Sequence, residues 1–265
     1  MRFALSMPQL VFSRFASLAQ AILGVDAVKT IVEVGARDCN ETLDFEAAFP
    51  RARIIAFECN PATLPVCRRA VQGRERVKLV EKAVSDRRGQ VTFYPTDPVR
   101  TVTKHAGGNP GASSLFRAAP DYPHETYVQN EVTVETTTLA DVVDAESLEG
   151  IDLLWMDIQG AELLALKGLG ERISAVKLVH LEVEFMPIYQ GQPLFAEVDR
   201  YLREKEFRLL GFTSYSKYSA DAVYASQRVV SALDALRLCV AHSYLWRNRL
   251  TRARHRLKKA LLGRD

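Results

Sequence analysis

Thr30-Ile31-Val32-Glu33-Val34-Gly35-Ala36-Arg37-Asp38-Cys39-Asn40-Glu41-Thr42 is a run of β-branched residues that stops at a glycine and turns polar. Branching at Cβ favours extended chain, and a glycine at its end lets the backbone turn sharply and a ligand approach closely. A helix is predicted from there to about Phe49, then a strand over Arg53-Ile54-Ile55-Ala56-Phe57-Glu58. Pro61 suits the first turn of another helix, where its missing N–H costs nothing, and Val77–Val80 makes a third strand. Strand, helix, strand, helix, strand within about fifty residues describes parallel βαβ units and an α/β fold.

The pattern breaks at the turn Asp86-Arg87-Arg88-Gly89, which leads into a strand-like Val91–Tyr94. Residues 95–130 then hold five of the eleven prolines with Gly107, Gly108 and Gly111, and a loop this long inside a domain is usually functional or disordered. Alternation resumes with Val132–Val134, with Ile151–Asp157, with a short helix from Ala161, and with Val176–Phe185. A helix over Leu194–Glu204 and a hairpin of Phe207–Phe212 with Ala222–Ala225 would close an antiparallel edge. Upstream, Val11, Phe15, Leu18 and Ile22 form one apolar helix face ending near Gly24. The division expected is an N-terminal helical extension (1–29), one α/β domain (30–227) and a tail (228–265).

At 265 residues, with 48% hydrophobic and 25% charged, the chain can bury a full core. Four cysteines without a CxxC pair indicate neither a zinc site nor a disulfide framework and favour a reducing compartment. Arg14 interrupts the apolar N-terminal stretch, and no segment approaches the ~20 apolar residues of a membrane span, so a soluble, cytoplasmic chain is expected. The net charge of +3 conceals a tail with ten Lys/Arg against two Asp. There Trp246, Leu250, Ala253, Leu257 and Leu261 recur at helical spacing among Arg247, Arg249, Arg252, Arg254, Arg256, Lys258 and Lys259. Such a helix fits an anionic membrane surface, on the inner face for a cytoplasmic chain, or docking on its own domain. Nucleic acid ranks behind both, because the rest of the chain sums to a negative charge and carries no nucleic-acid-binding motif.

Ligands of an open parallel sheet bind outside the carboxyl ends of its strands, where strand order reverses. Glu58 ends the second strand 23 residues beyond Gly35, near the ~20-residue offset at which an acid meets a ribose. The single glycine between Glu33 and Phe49 excludes a GxGxxG pyrophosphate turn, and no Lys-Ser or Lys-Thr follows to make a Walker loop. A nucleoside ligand without a phosphate chain fits better, and S-adenosylmethionine is the commonest on this kind of sheet.

The runs VEVGARDCNET, IIAFECNP, LVEKAVSDRRGQVTFY, PGASSL, VETTTLADVV, LLWMDIQGAELLALKGL and VHLEVEF, in that order from Ile31 to Phe212, resemble the FkbM family of S-adenosylmethionine-dependent methyltransferases. That resemblance implies a class I methyltransferase fold, a Rossmann-like, mostly parallel sheet flanked by helices. It also implies O-methylation, typically of a sugar or polyketide hydroxyl. By position, Glu33, Gly35, Ala36 and Arg37 would meet the cofactor's amino-acid end, Glu58 its ribose, and Lys82, Ala83 and Val84 its adenine. Asp157 and Glu162 match the signature acids and Glu182 the acid of the next strand. Where the family continues after Gly-Ala with Asn, a variable residue and Gly, this chain has Arg37, Asp38 and Cys39, and a Cys39 side chain could crowd the cofactor.

Attack of a hydroxyl on a sulfonium methyl needs alignment and a group that takes the proton. Asp157 is the first choice, with Glu182 and His180 on the neighbouring strand as further candidates. Ser113 and Ser114 in the long loop, together with Glu162, are read as acceptor-binding residues, and no His/Asp spacing points to a metal. The expected partner is a small-molecule or glycan acceptor. The alternatives are a nucleic-acid methyltransferase that uses the basic tail, and an interaction protein that has kept the fold without the chemistry.

Overall fold

The structure, a computed structural model, describes residues 6–262, with the side chains of Ala106, Trp246 and residues 256–262 outside that description. In chain order its elements are α1 (Met7–Leu23), β1 (Thr30–Val34), α2 (Asn40–Ala48), β2 (Arg53–Phe57), α3 (Leu64–Val71), β3 (Val77–Val80), β4 (Ala83–Val84), β5 (Gly89–Phe93) and β6 (Val132–Thr137). There follow α4 (Leu139–Ala145), β7 (Ile151–Met156), α5 (Glu162–Lys167), β8 (Val176–Glu184), α6 (Phe195–Glu204), β9 (Phe207–Tyr215), β10 (Ser219–Ser226), α7 (Ala232–Ala241) and α8 (Ser243–Leu262).

Seven strands form the main sheet in the order β3-β2-β1-β7-β8-β10-β9. Neighbours are parallel from β3 to β8, whereas β10 runs antiparallel to both β8 and β9. This is the class I arrangement expected from the resemblance. Strand order reverses between β1 and β7, so a crevice opens beyond their carboxyl ends. Both faces are covered, and the central strands therefore read as unbroken apolar runs rather than alternating ones. One side packs Leu154, Met156, Val179 and Leu181 under α5 and α6. The other packs Ile31, Trp155 and Leu178 under Phe12, Phe15 and Leu18 of α1. A small second sheet, β4-β6-β5, carries the segment that follows β3.

Local differences from the sequence reading have local causes. The helix after β1 begins only at Asn40, because Arg37 and Cys39 take left-handed φ angles of 49° and 62°. The helix after Pro61 begins at Leu64, since Asn60 Oδ1 accepts from the Ala62 N–H and makes a turn first. α4 had no separate expectation and is set by Thr138, which caps Asp141 N.

The tail is two helices, and α8 packs on β9 with Leu245 against Gly211 and with Asn248 donating to the Phe212 carbonyl at 2.9 Å. The apolar row read from spacing is not the face that packs: Leu250 and Ala253 are exposed, while Arg252 lies with its guanidinium 4.0 Å from the Phe195 ring centroid. Trp246, Leu257 and Leu261, with Arg256, Lys258 and Lys259, lie outside the described residues as side chains. Among the described residues no helix is long and apolar enough to cross a membrane.

Candidate functional site

Beyond β1 the chain must turn within one residue. Gly35 does so at φ +90°, and a Cβ there would stand 2.1 Å from the Asp157 carbonyl oxygen. Only glycine allows the ends of β1 and β7 to meet this closely. The resulting cleft, about 570 Å³ with its open mouth, is lined by Gly35, Arg37, Glu58, Cys59, Asn60, Thr63, Lys82, Ala83, Val84, Ser113 and Asp157, with Phe57, Phe93 and Leu115 as apolar walls.

Glu58 is the most constrained group in it. Oε1 accepts from the Cys59 and Asn60 N–H groups at 2.8 and 2.7 Å, and Oε2 accepts from the Arg37 N–H at 2.6 Å. Burial raises this carboxyl above its ordinary range, and the three backbone donors pull against that shift. A carboxylate has about four lone-pair sites, so acceptor capacity remains for a hydroxyl. Lys82 lines the same wall and reaches Glu135 at 2.8 Å. Ser113 Oγ donates to the Pro110 carbonyl at 2.8 Å, accepts from the Thr96 N–H and lies 3.4 Å from Asn60 Nδ2.

Asp157 is exposed at the floor of this recess, at hydrogen-bonded register with β1 through its own N–H on the Val34 carbonyl. Gln159, with φ 54°, turns its amide back. Its Nε2 donates to Asp157 Oδ1 at 2.7 Å and to Glu182 Oε2 at 2.6 Å. The opposite amide orientation would set an oxygen against two carboxylates, so the hydrogen-bond pattern selects this one. Tyr189 Oη lies 2.9 Å from both Gln159 Oε1 and the Ala112 carbonyl, and donates its one proton to either. The enclosing walls raise Asp157, with Gln159 and Arg37 opposing. Burial together with the charges of Asp157, Glu184, Asp221 and Glu162 lifts Glu182 well above its ordinary range. Burial pushes Asp221 up to about 6.

Five sequence candidates lie elsewhere. His180 is inside the core, stacked on Trp155 at 3.8 Å between centroids and bonded to Thr213 Oγ1 at 2.8 Å. Burial lowers its imidazole to about 3, which leaves it neutral and remote from the cleft walls. Glu162 turns under α5 and accepts from the Ile158 N–H at 2.9 Å, which makes it a loop brace; burial pushes it up to about 7. Ser114 is buried and donates to the Gln159 carbonyl at 2.7 Å. Glu33 accepts from the Thr42 hydroxyl beneath the loop. Ala36 is buried behind the cleft and Cys39 packs against Ala36, Ala56 and Cys67, so the cysteine side chain does not crowd the opening. Its left-handed backbone is what aims it away.

Gln159 and Tyr189 carried no expectation. The first stands inside MDIQGAELL and was legible as part of the signature, but Tyr189 sits 30 residues further on with nothing local to mark it. For S-adenosylmethionine the residues fit: an acid with spare acceptor capacity, and apolar walls for a flat base. Among the described residues no group of three or more His, Cys, Asp or Glu could hold a metal ion.

The family model described as the Methyltransferase FkbM domain matches residues 33–209. The 2-O-methyltransferase NoeI of Sinorhizobium fredii (strain NBRC 101917 / NGR234) is 30% identical over 173 residues, which cover 64% of this chain and 69% of that protein. Among solved structures, the METTL16 methyltransferase domain aligns with a TM-score of 0.48 and 10% identity over 85% of this chain and 70% of that one. The precorrin-6y C5,15-methyltransferase of Geobacter metallireducens GS-15 aligns with a TM-score of 0.41 and 13% identity over 80% of this chain and 87% of that one.

Proposed function

The chain belongs to the FkbM methyltransferase family, and on that premise we propose that it methylates a hydroxyl of a sugar, glycan or related small molecule. Its methyl donor is S-adenosylmethionine, which when bound supplies an electrophilic methyl on a sulfonium. The observation that carries the acceptor class is the acid pair on one amide nitrogen, Asp157 in the cleft lining and Glu182 joined to it through Gln159. Carboxylates accept hydroxyl protons well, and the relative NoeI is named for 2-O-methylation.

In this reading Glu58 holds a ribose hydroxyl, Ala83 and Val84 flank the adenine beside Lys82, and Gly35 and Arg37 border the amino-acid end. Asp157 is the proton acceptor, since it is the member of the acid pair exposed within the cleft. Glu182 shares its amide donor, and burial together with the Asp157 charge raises Glu182, which opposes the upward shift of Asp157 by a hydrogen bond. Ser113 stands at the rim, where the 95–130 segment meets Asn60, and contacts the acceptor or the cofactor. Alignment of the hydroxyl about 3–3.5 Å from the methyl carbon supplies much of the rate, and the polar cleft floor takes up the proton.

The test is calorimetric titration with S-adenosylmethionine and S-adenosylhomocysteine, followed by a radiolabelled-methyl assay over a panel of methyl glycosides. Micromolar binding lost in Glu58→Ala, and label on a sugar oxygen lost in Asp157→Asn, is the expected result. Binding without transfer to any hydroxyl compound would refute the acceptor class and leave the cofactor site standing.

A further inference from the structure

The two C-terminal helices lie on the β9 edge of the sheet and each turns a defined face inward. On α7 Ala235 and Cys239 are buried, and on α8 Leu245 is buried with Asn248 bonded to β9. At about 100° per residue, the opposite side of α7 carries Leu233, Arg237 and Val240, with Leu236 on its flank. The opposite side of α8 carries Arg247, Leu250 and Arg254. Exposure agrees: Leu233, Leu236 and Val240 are 57%, 58% and 75% exposed and Leu250 is 42% exposed, and Arg247 and Arg254 are exposed. Four of the nine exposed large apolar side chains of the described residues are therefore gathered on one two-helix layer, and a gathered patch, unlike a scattered one, marks an interaction surface.

Charge selects the occupant. Residues 228–265 hold ten Lys/Arg against two Asp. A second copy of this chain meeting the same face about a two-fold axis would bring that excess against itself. Nucleic acid would match the charge but offers no apolar layer for Leu233, Leu236 and Val240. A bilayer with anionic headgroups meets both needs at one depth, with the leucines at the acyl boundary and the arginines among phosphates.

We propose that the outer face of α7 and α8 docks the protein on an anionic lipid surface. The inference is independent of the acceptor, because lipid binding is read without methyl transfer. The full chain is sedimented with vesicles of phosphatidylcholine alone and of phosphatidylcholine with about one third phosphatidylglycerol. Two variants accompany it, Leu233→Ser/Leu236→Ser/Val240→Ser and Arg247→Glu/Arg254→Glu, with S-adenosylhomocysteine binding as the check that each still folds. The expected result is binding to the anionic vesicles only, weakened about tenfold or more in each variant, and in the wild type by about 0.5 M salt. Failure of the wild type to bind, or binding by both variants as tight as that of the wild type, overturns the proposal. So does a dimer in light scattering that the triple serine variant dissolves, since a second copy would then be the occupant.

Discussion

Replacing Gln159 by leucine removes two N–H donors from two carboxylates while keeping similar bulk. The bonds lost are those to Asp157 Oδ1 and Glu182 Oε2, at 2.7 and 2.6 Å, and a hydrogen bond to a charged group contributes about 1.5–3 kcal/mol. Water replaces part of the bond at exposed Asp157, so the expected loss is about 2–3 kcal/mol when both acids are ionised. The sign with pH follows from the raised carboxyls. Asp157 and Glu182 hold protons more tightly in the folded than in the unfolded chain, so stability falls as pH rises from the ordinary carboxylate range through those raised values. Removing the donors raises both acids further and deepens that fall. At about pH 5 a protonated Glu182 can itself donate to Asp157, and the cost should shrink to about 1 kcal/mol. Arg37, Glu41, Glu162, Glu184, Asp221 and Tyr189 also face the pair and are common to both chains, so the difference isolates the amide. Urea unfolding of both chains at about pH 5 and about pH 8 measures it. Equal destabilisation at the two pH values, or a larger one in acid, would refute the reasoning.

His180→Phe should keep cofactor binding, because the ring packs on Trp155 and Phe15 away from the cleft. Its imidazole is held at about 3 by burial, so the wild type alone loses stability as pH falls below about 6.5, roughly 2 kcal/mol by pH 5 relative to the variant; parallel acid limbs in urea titrations would contradict this. Gly35→Ala forces a Cβ onto the Asp157 carbonyl oxygen at 2.1 Å, and should cost about 3 kcal/mol or more with loss of S-adenosylhomocysteine binding by calorimetry. Cys59 is the cysteine lining the cleft, whereas Cys39, Cys67 and Cys239 are buried. A maleimide should therefore take up one thiol in the native chain, slowly because burial and Glu58 raise it, and S-adenosylhomocysteine should slow it further; mass spectrometry showing no protection would place the cofactor elsewhere.

Periodicity and spacing made the strand ends legible. Apolar runs located β1, β2, β7 and β8, and the topology of parallel sheets then put Gly35, Glu58 and Asp157 at one crevice without any further information. What stayed hidden depended on where side chains point. Glu162 and Ser114 stand in the right segments, yet each turns to a backbone group, Ile158 N–H and the Gln159 carbonyl. His180 shares a face with Glu182 but sits two residues deeper in the strand, where Trp155 covers it. On α8 the hydrophobic period identified a helix and left its inner face open, and that face is set by Gly211, which admits Leu245, and by a stack of aromatic rings that accepts Arg252. Pattern counting cannot see either compensation, since both belong to the surface the helix lands on.

The loop after β1 shows how a departure from the family's glycine pattern is absorbed. Left-handed turns at Arg37 and Cys39 cost about 1–2 kcal/mol each in a residue with a Cβ, so something must hold them. The Cys39 N–H reaches the Ala36 carbonyl at 2.6 Å, Cys67 Sγ lies 3.0 Å from the Arg37 carbonyl, and the Arg37 N–H donates to Glu58 Oε2 at 2.6 Å. Glu58 thus braces the same loop that borders the cofactor's amino-acid end, while its other oxygen fixes the β2 turn through Cys59 and Asn60. One buried carboxylate ties the two strand ends into a single rigid rim before any ligand arrives. That is preorganisation: the ordering cost of the rim falls on folding and not on binding, and a cysteine can stand in the glycine's place because the rim turns its side chain into the packed interior.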